Sequence, residues 1–267
     1  MNSYLSSRID FAITKNMKRF FTIFLLLMAG GCAYRNPLSD MNFQTTAAPP
    51  YVIANWYKIE QPGQTLKVYI EGDGHSFDNR GMPTDNPTPK SVFMRELAAG
   101  DPSPNVAYVA RPCQFLQVAC KEEDWTDGRF SENVVRSMDT AVAALMKKAQ
   151  AKKVVLVGFS GGAQVAGLVA VRHPERVQKL ITIAGVLDQA AWTKYHGDAP
   201  LTKSINLKDY QDVLKTIPQV HYAGEKDHVV PPELIQAFVE KENIVIVPKA
   251  GHGDGFVSIY DDIYGVR

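Results

Sequence analysis

The sequence predicts an α/β fold, with a mostly parallel central sheet, helices on both of its faces and a short cap segment. Three observations predict it. From Leu66 onward, short apolar β-branched runs alternate with stretches of helical period. At 267 residues, 45% hydrophobic and 21% charged, the chain can bury one sizeable core. Each of the last five apolar runs ends near a loop that holds unusual residues, and open α/β sheets bind ligands beyond the carboxyl ends of their strands.

The expected strands are Leu66 to Ile70, Val106 to Ala110, Lys153 to Val157, Leu180 to Ala184, Gln219 to Ala223 and Asn243 to Val247. Between them, Ser131 to Gln150 reads as a helix capped by Ser131, with Val134, Val135, Met138, Val142 and Leu145 as its apolar stripe. Pro231-Pro232 introduces a shorter helix reaching Lys241. Residues 187–217 are less regular and stand where a cap is expected.

Lysine plus arginine (29) nearly balances aspartate plus glutamate (28), and no long charged run occurs, which argues against a nucleic-acid partner. Lys18 and Arg19 precede an apolar run from Phe20 to Met28, followed by Ala29-Gly30-Gly31-Cys32. The run is well short of the roughly 20 apolar residues of a membrane span, and the pattern reads as an export signal. Small residues before a cysteine resemble the lipobox of bacterial lipoproteins, although Ala29 stands where leucine is usual. That resemblance implies lipidation of Cys32, a membrane partner through the acyl chains, and a place in the bacterial cell envelope. Ala33, in place of an aspartate, points by the same resemblance to the outer rather than the inner membrane. An ordinary cleaved signal with an incidental cysteine is the alternative. Met17 is a second candidate start. The expected organisation is therefore a signal at 1–32, a tether at 33–55 marked by Pro37 and Ala47-Ala48-Pro49-Pro50, and a catalytic body at 56–267.

With Cys32 set aside, Cys113 and Cys120 form an even pair, and in an exported protein such a pair suggests a disulfide rather than two free thiols.

Val154 to Val157 runs into Gly158-Phe159-Ser160-Gly161-Gly162 and then into a small-residue segment, Ala163 to Arg172. Gly-x-Ser-x-Gly alone is weak, since a glycine-rich turn at a strand end looks the same. A strand before it and a helix after it make it a nucleophile elbow, with Ser160 exposed above the sheet. Serine is a poor nucleophile near neutral pH, so it needs a base and an acid that orients the base. Downstream stand Gly224-Glu225-Lys226-Asp227-His228-Val229-Val230-Pro231 and Ala250-Gly251-His252-Gly253, which give the order Ser, acid, His.

These segments, together with His173-Pro174-Glu175-Arg176-Val177, resemble the α/β-hydrolase family over roughly residues 66–256. The resemblance implies Ser160 as nucleophile, Asp227 as orienting acid with Glu225 as its competitor, and His252 as base. The other histidines (His75, His173, His196, His221 and His228) read as structural or solvent-facing, His221 as a satisfied core residue inside a strand. The expected oxyanion donors are the backbone N–H of Gly161 and, from Glu71-Gly72-Asp73-Gly74-His75, the N–H of Asp73 with Gly74 as substitute. A turn in which Asp73 binds its own backbone is the alternative. Residues 111–131 are expected to border the pocket.

No metal-ligand cluster, phosphate loop or dinucleotide fingerprint stands in a suitable context, so no metal or cofactor is expected. The implied activity is hydrolysis of an ester, thioester or amide of a small-molecule acyl substrate through an acyl-serine, most simply a carboxylesterase-like reaction. Acyl transfer by the same groups and a non-catalytic binding lipoprotein are the alternatives.

Overall fold

The computed structural model describes residues 36–266, and Pro37 opens one compact unit. Met17, Lys18, Arg19, Cys32 and Ala33, and with them the export and lipidation readings, lie outside the described residues.

The strands at the centre of the sheet are mostly apolar and buried along almost their whole length, Lys67 and Asn105 included. They are β3 (Leu66–Ile70), β4 (Asn105–Val109) and β5 (Val154–Phe159), whose last residue alone is partly open. Beyond β5 follow β6 (Val177–Ile183), β7 (Gln219–Gly224) and β8 (Ile244–Val247). All six run parallel, in the order β4-β3-β5-β6-β7-β8. The central strands are buried on both sides because both faces of the sheet are covered there, whereas β8, at the edge, leaves Val245 and Ile246 exposed.

Period-2 alternation sorts the side chains between two cores. Leu66, Val68, Ile70, Val154 and Leu156 pack on one face against α2 (Glu132–Lys148) and α3 (Gly161–Arg172). Tyr69, Tyr108, Val155 and Val157 pack on the other against α1 (Phe93–Gly100) and the C-terminal α7 (Tyr260–Tyr264). Helix α2 starts where the sequence places it, the Ser131 side chain accepting from Val134 N at 3.4 Å. The cap between β6 and β7 holds α4 (Gln189–His196), a 3₁₀ turn at Leu207–Tyr210 and α5 (Gln211–Leu214). The helix expected from Pro232 to Lys241 is shorter: α6 ends at Gln236 and a 3₁₀ turn follows at Lys241–Asn243.

The tether expected at 33–55 is not one from Pro37 onward. A 3₁₀ turn at Pro37–Asp40 buries Leu38, and two antiparallel strands, β1 (Asn42–Ala48) and β2 (Tyr51–Ile59), extend the sheet beyond β4. β1 is an edge strand, so polar side chains such as Gln44 and Thr45 fit it as well as apolar ones do. Its small inward residues let α2 approach closely enough for Ser137 Oγ to donate to Ala48 O at 2.8 Å. Small residues and a Pro-Pro turn, which also mark linkers, here make an edge hairpin. The folded body therefore includes residues assigned to the tether.

His221 sits inside β7 fully shielded from solvent, between Thr182 Oγ1 and Gln219 Oε1, each 2.8 Å away. Burial pushes its pKa down to about 4. An unfolded histidine takes up a proton near pH 6.5, whereas the folded one stays neutral to about pH 4. Stability is therefore complete above the unfolded pKa and declines as pH falls from about 6.5 to about 4, by roughly 3 kcal/mol for this one group. Denaturant unfolding at pH 7 and pH 4.5 is expected to show that loss in the wild type and a smaller one in His221→Gln.

Candidate active site

The turn from β5 into α3 is too tight for ordinary residues. A Cβ on Gly158 would stand 2.5 Å from the carbonyl oxygen of Gly162, and Ser160 itself adopts φ 52°, ψ −126°. Strain of this kind persists only where the surroundings hold it. Ser160 N donates to Ile183 O on β6, and Ser160 O accepts from Val186 N and Ala163 N, all at 3.0 Å. Three neighbouring segments thus hold Ser160 above the sheet.

The loops after β7 and β8 are fastened to one another, Glu225 N donating to Val247 O and Lys226 N to Ala250 O. This brings Asp227 and His252 together. Asp227 is buried, and its Oδ1 accepts from Val229 N and Val230 N, both at 2.8 Å. Its Oδ2 is 2.9 Å from His252 Nδ1, and His252 Nε2 is 2.9 Å from Ser160 Oγ. With two backbone donors on one oxygen, the carboxylate presents the other to the imidazole. Glu225 is exposed and its Oε2 accepts from Lys249 N, so it takes no part in this line. His252 lies beside Phe159, ring centroids 5.1 Å apart.

The loop after β3 lies against the serine: a Cβ on Gly72 would be 3.4 Å from Ser160 Cβ. Asp73 comes closer to α3 than the sequence reveals, its Oδ1 standing 2.1 Å from where a Cβ on Gly161 would be. The carboxylate is held there by Arg111 Nη1 at 3.0 Å and faces Arg129 Nε at 3.3 Å, both arginines being buried. The Arg129 contact is too poorly aligned to be a hydrogen bond, and its Nε is a buried donor without a hydrogen-bond partner. His75 N, the donor that a turn closed by the Asp73 side chain would use, binds Pro87 O at 3.0 Å instead.

Glu71 is also buried here, accepting from Gly72 N at 2.9 Å and from Tyr108 Oη at 2.6 Å. Burial raises its pKa, while these two hydrogen bonds and the nearby Arg95 and Arg111 oppose the rise.

Cys113 and Cys120 are joined as a disulfide with Cα atoms 5.8 Å apart. In the stretch 111–131, Arg111, Gln114 and Arg129 reach the loop after β3, and the local sequence does not mark them as neighbours of the site. Arg129 is stacked at 5.5–5.8 Å on Phe77, Phe130 and Trp192. It reaches the wall of a cavity of about 620 Å³ lined also by Phe77, Trp192, Ala199, Pro200 and Leu201. Trp192 Nε1 donates to Val229 O at 2.7 Å, which joins this wall to the Asp227 loop. Among the described residues no cluster of His, Cys, Asp and Glu suits a metal ion.

With this geometry in place, residues 73–221 match the family model described as the alpha/beta hydrolase fold, and the chain belongs to that family. The match contains Ser160 and ends before Asp227 and His252. Solved structures share the architecture at low identity. Est1E from Butyrivibrio proteoclasticus, which has also been solved with ferulic acid bound, is 13% identical at TM-score 0.61, over 84% of this chain and 96% of its own. An acylaminoacyl peptidase from Pyrococcus horikoshii is 14% identical at TM-score 0.60, over 85% of this chain and 41% of its own. XC6422 from Xanthomonas campestris, described as a serine hydrolase without a lid, is 15% identical at TM-score 0.52, over 85% and 91%. No curated protein matches the sequence.

Proposed function

We propose that the protein is a serine hydrolase that cleaves an ester, thioester or amide through an acyl-serine, with carboxylesterase-like activity as its simplest form. The observation that carries this reading is the unbroken line Asp227 Oδ2, His252 Nδ1, His252 Nε2, Ser160 Oγ, each link 2.9 Å. Asp227 holds the imidazole with Nδ1–H toward it, so that Nε2 is left as the acceptor for the serine proton. Ser160 Oγ attacks the acyl carbon, and His252 takes the Oγ proton and returns it to the leaving group. Water, deprotonated by the same Nε2, then releases the acid. The tetrahedral oxygen is met by the N–H of Gly161, at the amino end of α3, and the N–H of Asp73.

The cavity walled by Arg129 and Trp192 has a volume in the ordinary range for small ligands, and the aromatic and aliphatic part of its lining suits an apolar part of such a substrate. A fluorophosphonate probe tests the reading. It is expected to label the wild type and to spare Ser160→Ala, and equal labelling of both would sink it.

The envelope anchor is proposed on the sequence alone, from the small residues before Cys32, and the disulfide fits the oxidising compartment it requires. Radiolabelled palmitate fed to expressing cells is expected to enter the wild type and not Cys32→Ser. Equal incorporation would remove the anchor and leave the hydrolase reading untouched.

A further inference from the structure

We propose that Gln114 is a positioning residue for the oxyanion hole, holding the Gly72-Asp73 peptide so that the Asp73 N–H faces the acyl oxygen. The inference rests on the acyl-serine reading above. Gln114 is buried, and its side chain is used at both ends: Nε2 donates to Gly72 O at 2.9 Å, and Oε1 accepts from Arg111 N at 2.9 Å. The carbonyl it holds belongs to the same peptide unit as the Asp73 N–H. That unit is planar and trans, so fixing the oxygen on one side directs the N–H to the opposite one. Gly72 is the residue that lies against Ser160, which brings this peptide to the reacting centre.

The surroundings act in the same sense. Arg111 Nη1 donates to the Asp73 carboxylate at 3.0 Å and so holds the residue that carries this N–H. The short turn that carries Gln114 has two non-glycine residues with positive φ, Cys113 at 71° and Phe115 at 62°. Such conformations cost free energy and survive where neighbours over-determine them. Here the disulfide to Cys120 and a 2.7 Å bond from Phe115 N to Thr88 Oγ1 hold the turn on either side of Gln114. A buried amide on a strained, twice-anchored turn, spent on one carbonyl of the oxyanion loop, is a device for fixing a peptide plane.

Gln114→Met keeps the length of the side chain and removes both polar ends, and Gln114→Glu keeps the shape but sets an acceptor against Gly72 O. Each full-length variant is compared with the wild type on p-nitrophenyl esters, with active sites counted by fluorophosphonate titration. Loss of one oxyanion donor costs about 100- to 1,000-fold in kcat. Loosening one is expected to lower kcat per titrated site about 10- to 100-fold, with KM within about twofold, and Gln114→Glu at least as severely. Affinity for a trifluoromethyl ketone is expected to fall in parallel, while affinity for the product acid stays unchanged. Unchanged kcat per titrated site would overturn the proposal, whatever happens to Tm. So would losses of ketone and product-acid affinity in equal proportion. A wild type that neither turns over ester nor takes the probe would overturn the acyl-serine reading and this inference with it, whereas an active wild type with unaffected variants overturns this inference alone.

Discussion

Ser160→Ala is expected to lower kcat by about a million-fold on any ester the wild type hydrolyses, the size of loss seen when a triad nucleophile is removed. Oγ is the only atom deleted, and it is the one that His252 Nε2 meets at 2.9 Å. Without it the imidazole has nothing to deprotonate except water, and the residual rate reports only the remaining base, oxyanion donors and binding. The fold should survive, because the bonds that hold residue 160 run through its backbone to Ile183, Val186 and Ala163. Alanine keeps the strain of φ 52°, whereas Ser160→Gly relieves it and is expected to be the more stable of the two inactive variants, by about 1 kcal/mol. Steady-state kinetics with urea unfolding of both variants checks this. A residual kcat within tenfold of the wild type would remove Ser160 from the chemistry.

Asp227→Asn is expected to lower kcat about ten-thousandfold with little change in stability. The reason is the direction of one hydrogen bond. The asparagine oxygen can still accept from Val229 N and Val230 N, so the loop keeps its 2.8 Å contacts. Its amide nitrogen then faces His252 Nδ1 where Oδ2 was, as a donor against a donor. The imidazole responds by placing its proton on Nε2, which turns the atom facing Ser160 Oγ from an acceptor into a donor. Rates measured in the neutral to alkaline range, with NMR of the imidazole nitrogens to read the tautomer, decide the matter. An Asp227→Asn enzyme with Nδ1 still protonated and near-normal kcat would contradict the assigned role of the carboxylate. Glu225→Gln, by contrast, changes only an exposed contact with Lys249 N and is expected to leave kcat unaltered.

The parallel strands and their order of loops were legible because burial on both faces leaves apolar runs at the centre of the sheet, as in Leu66–Ile70 and Val154–Phe159, and the edge run Ile244–Val247 is apolar although Val245 and Ile246 are exposed. Ser160, Asp227 and His252 were legible because each stands in a short local pattern at a strand end. The β1–β2 hairpin was not, since an edge strand with small side chains under a helix carries the composition of a linker. Arg111, Gln114 and Arg129 were not because their partners are distant in sequence: Gln114 meets Gly72 and Arg129 meets Asp73 only after β3 and β4 pair side by side. Nothing in the local sequence of residues 111–129 distinguishes a guanidinium facing solvent from one stacked between aromatic rings.

By itself, then, the sequence determined the class of fold, Ser160 and His252 at their strand ends, and an acid loop offering both Asp227 and Glu225, because strand burial and tight turns are written in adjacent residues. Tertiary structure alone decided that Asp227 rather than Glu225 faces His252, that Asp73 is turned toward two buried arginines, and that Gln114 holds the Gly72 carbonyl. Each of these is a choice among competing hydrogen-bond partners, and such choices are settled by distance and desolvation, which exist only once separate strands have been brought together.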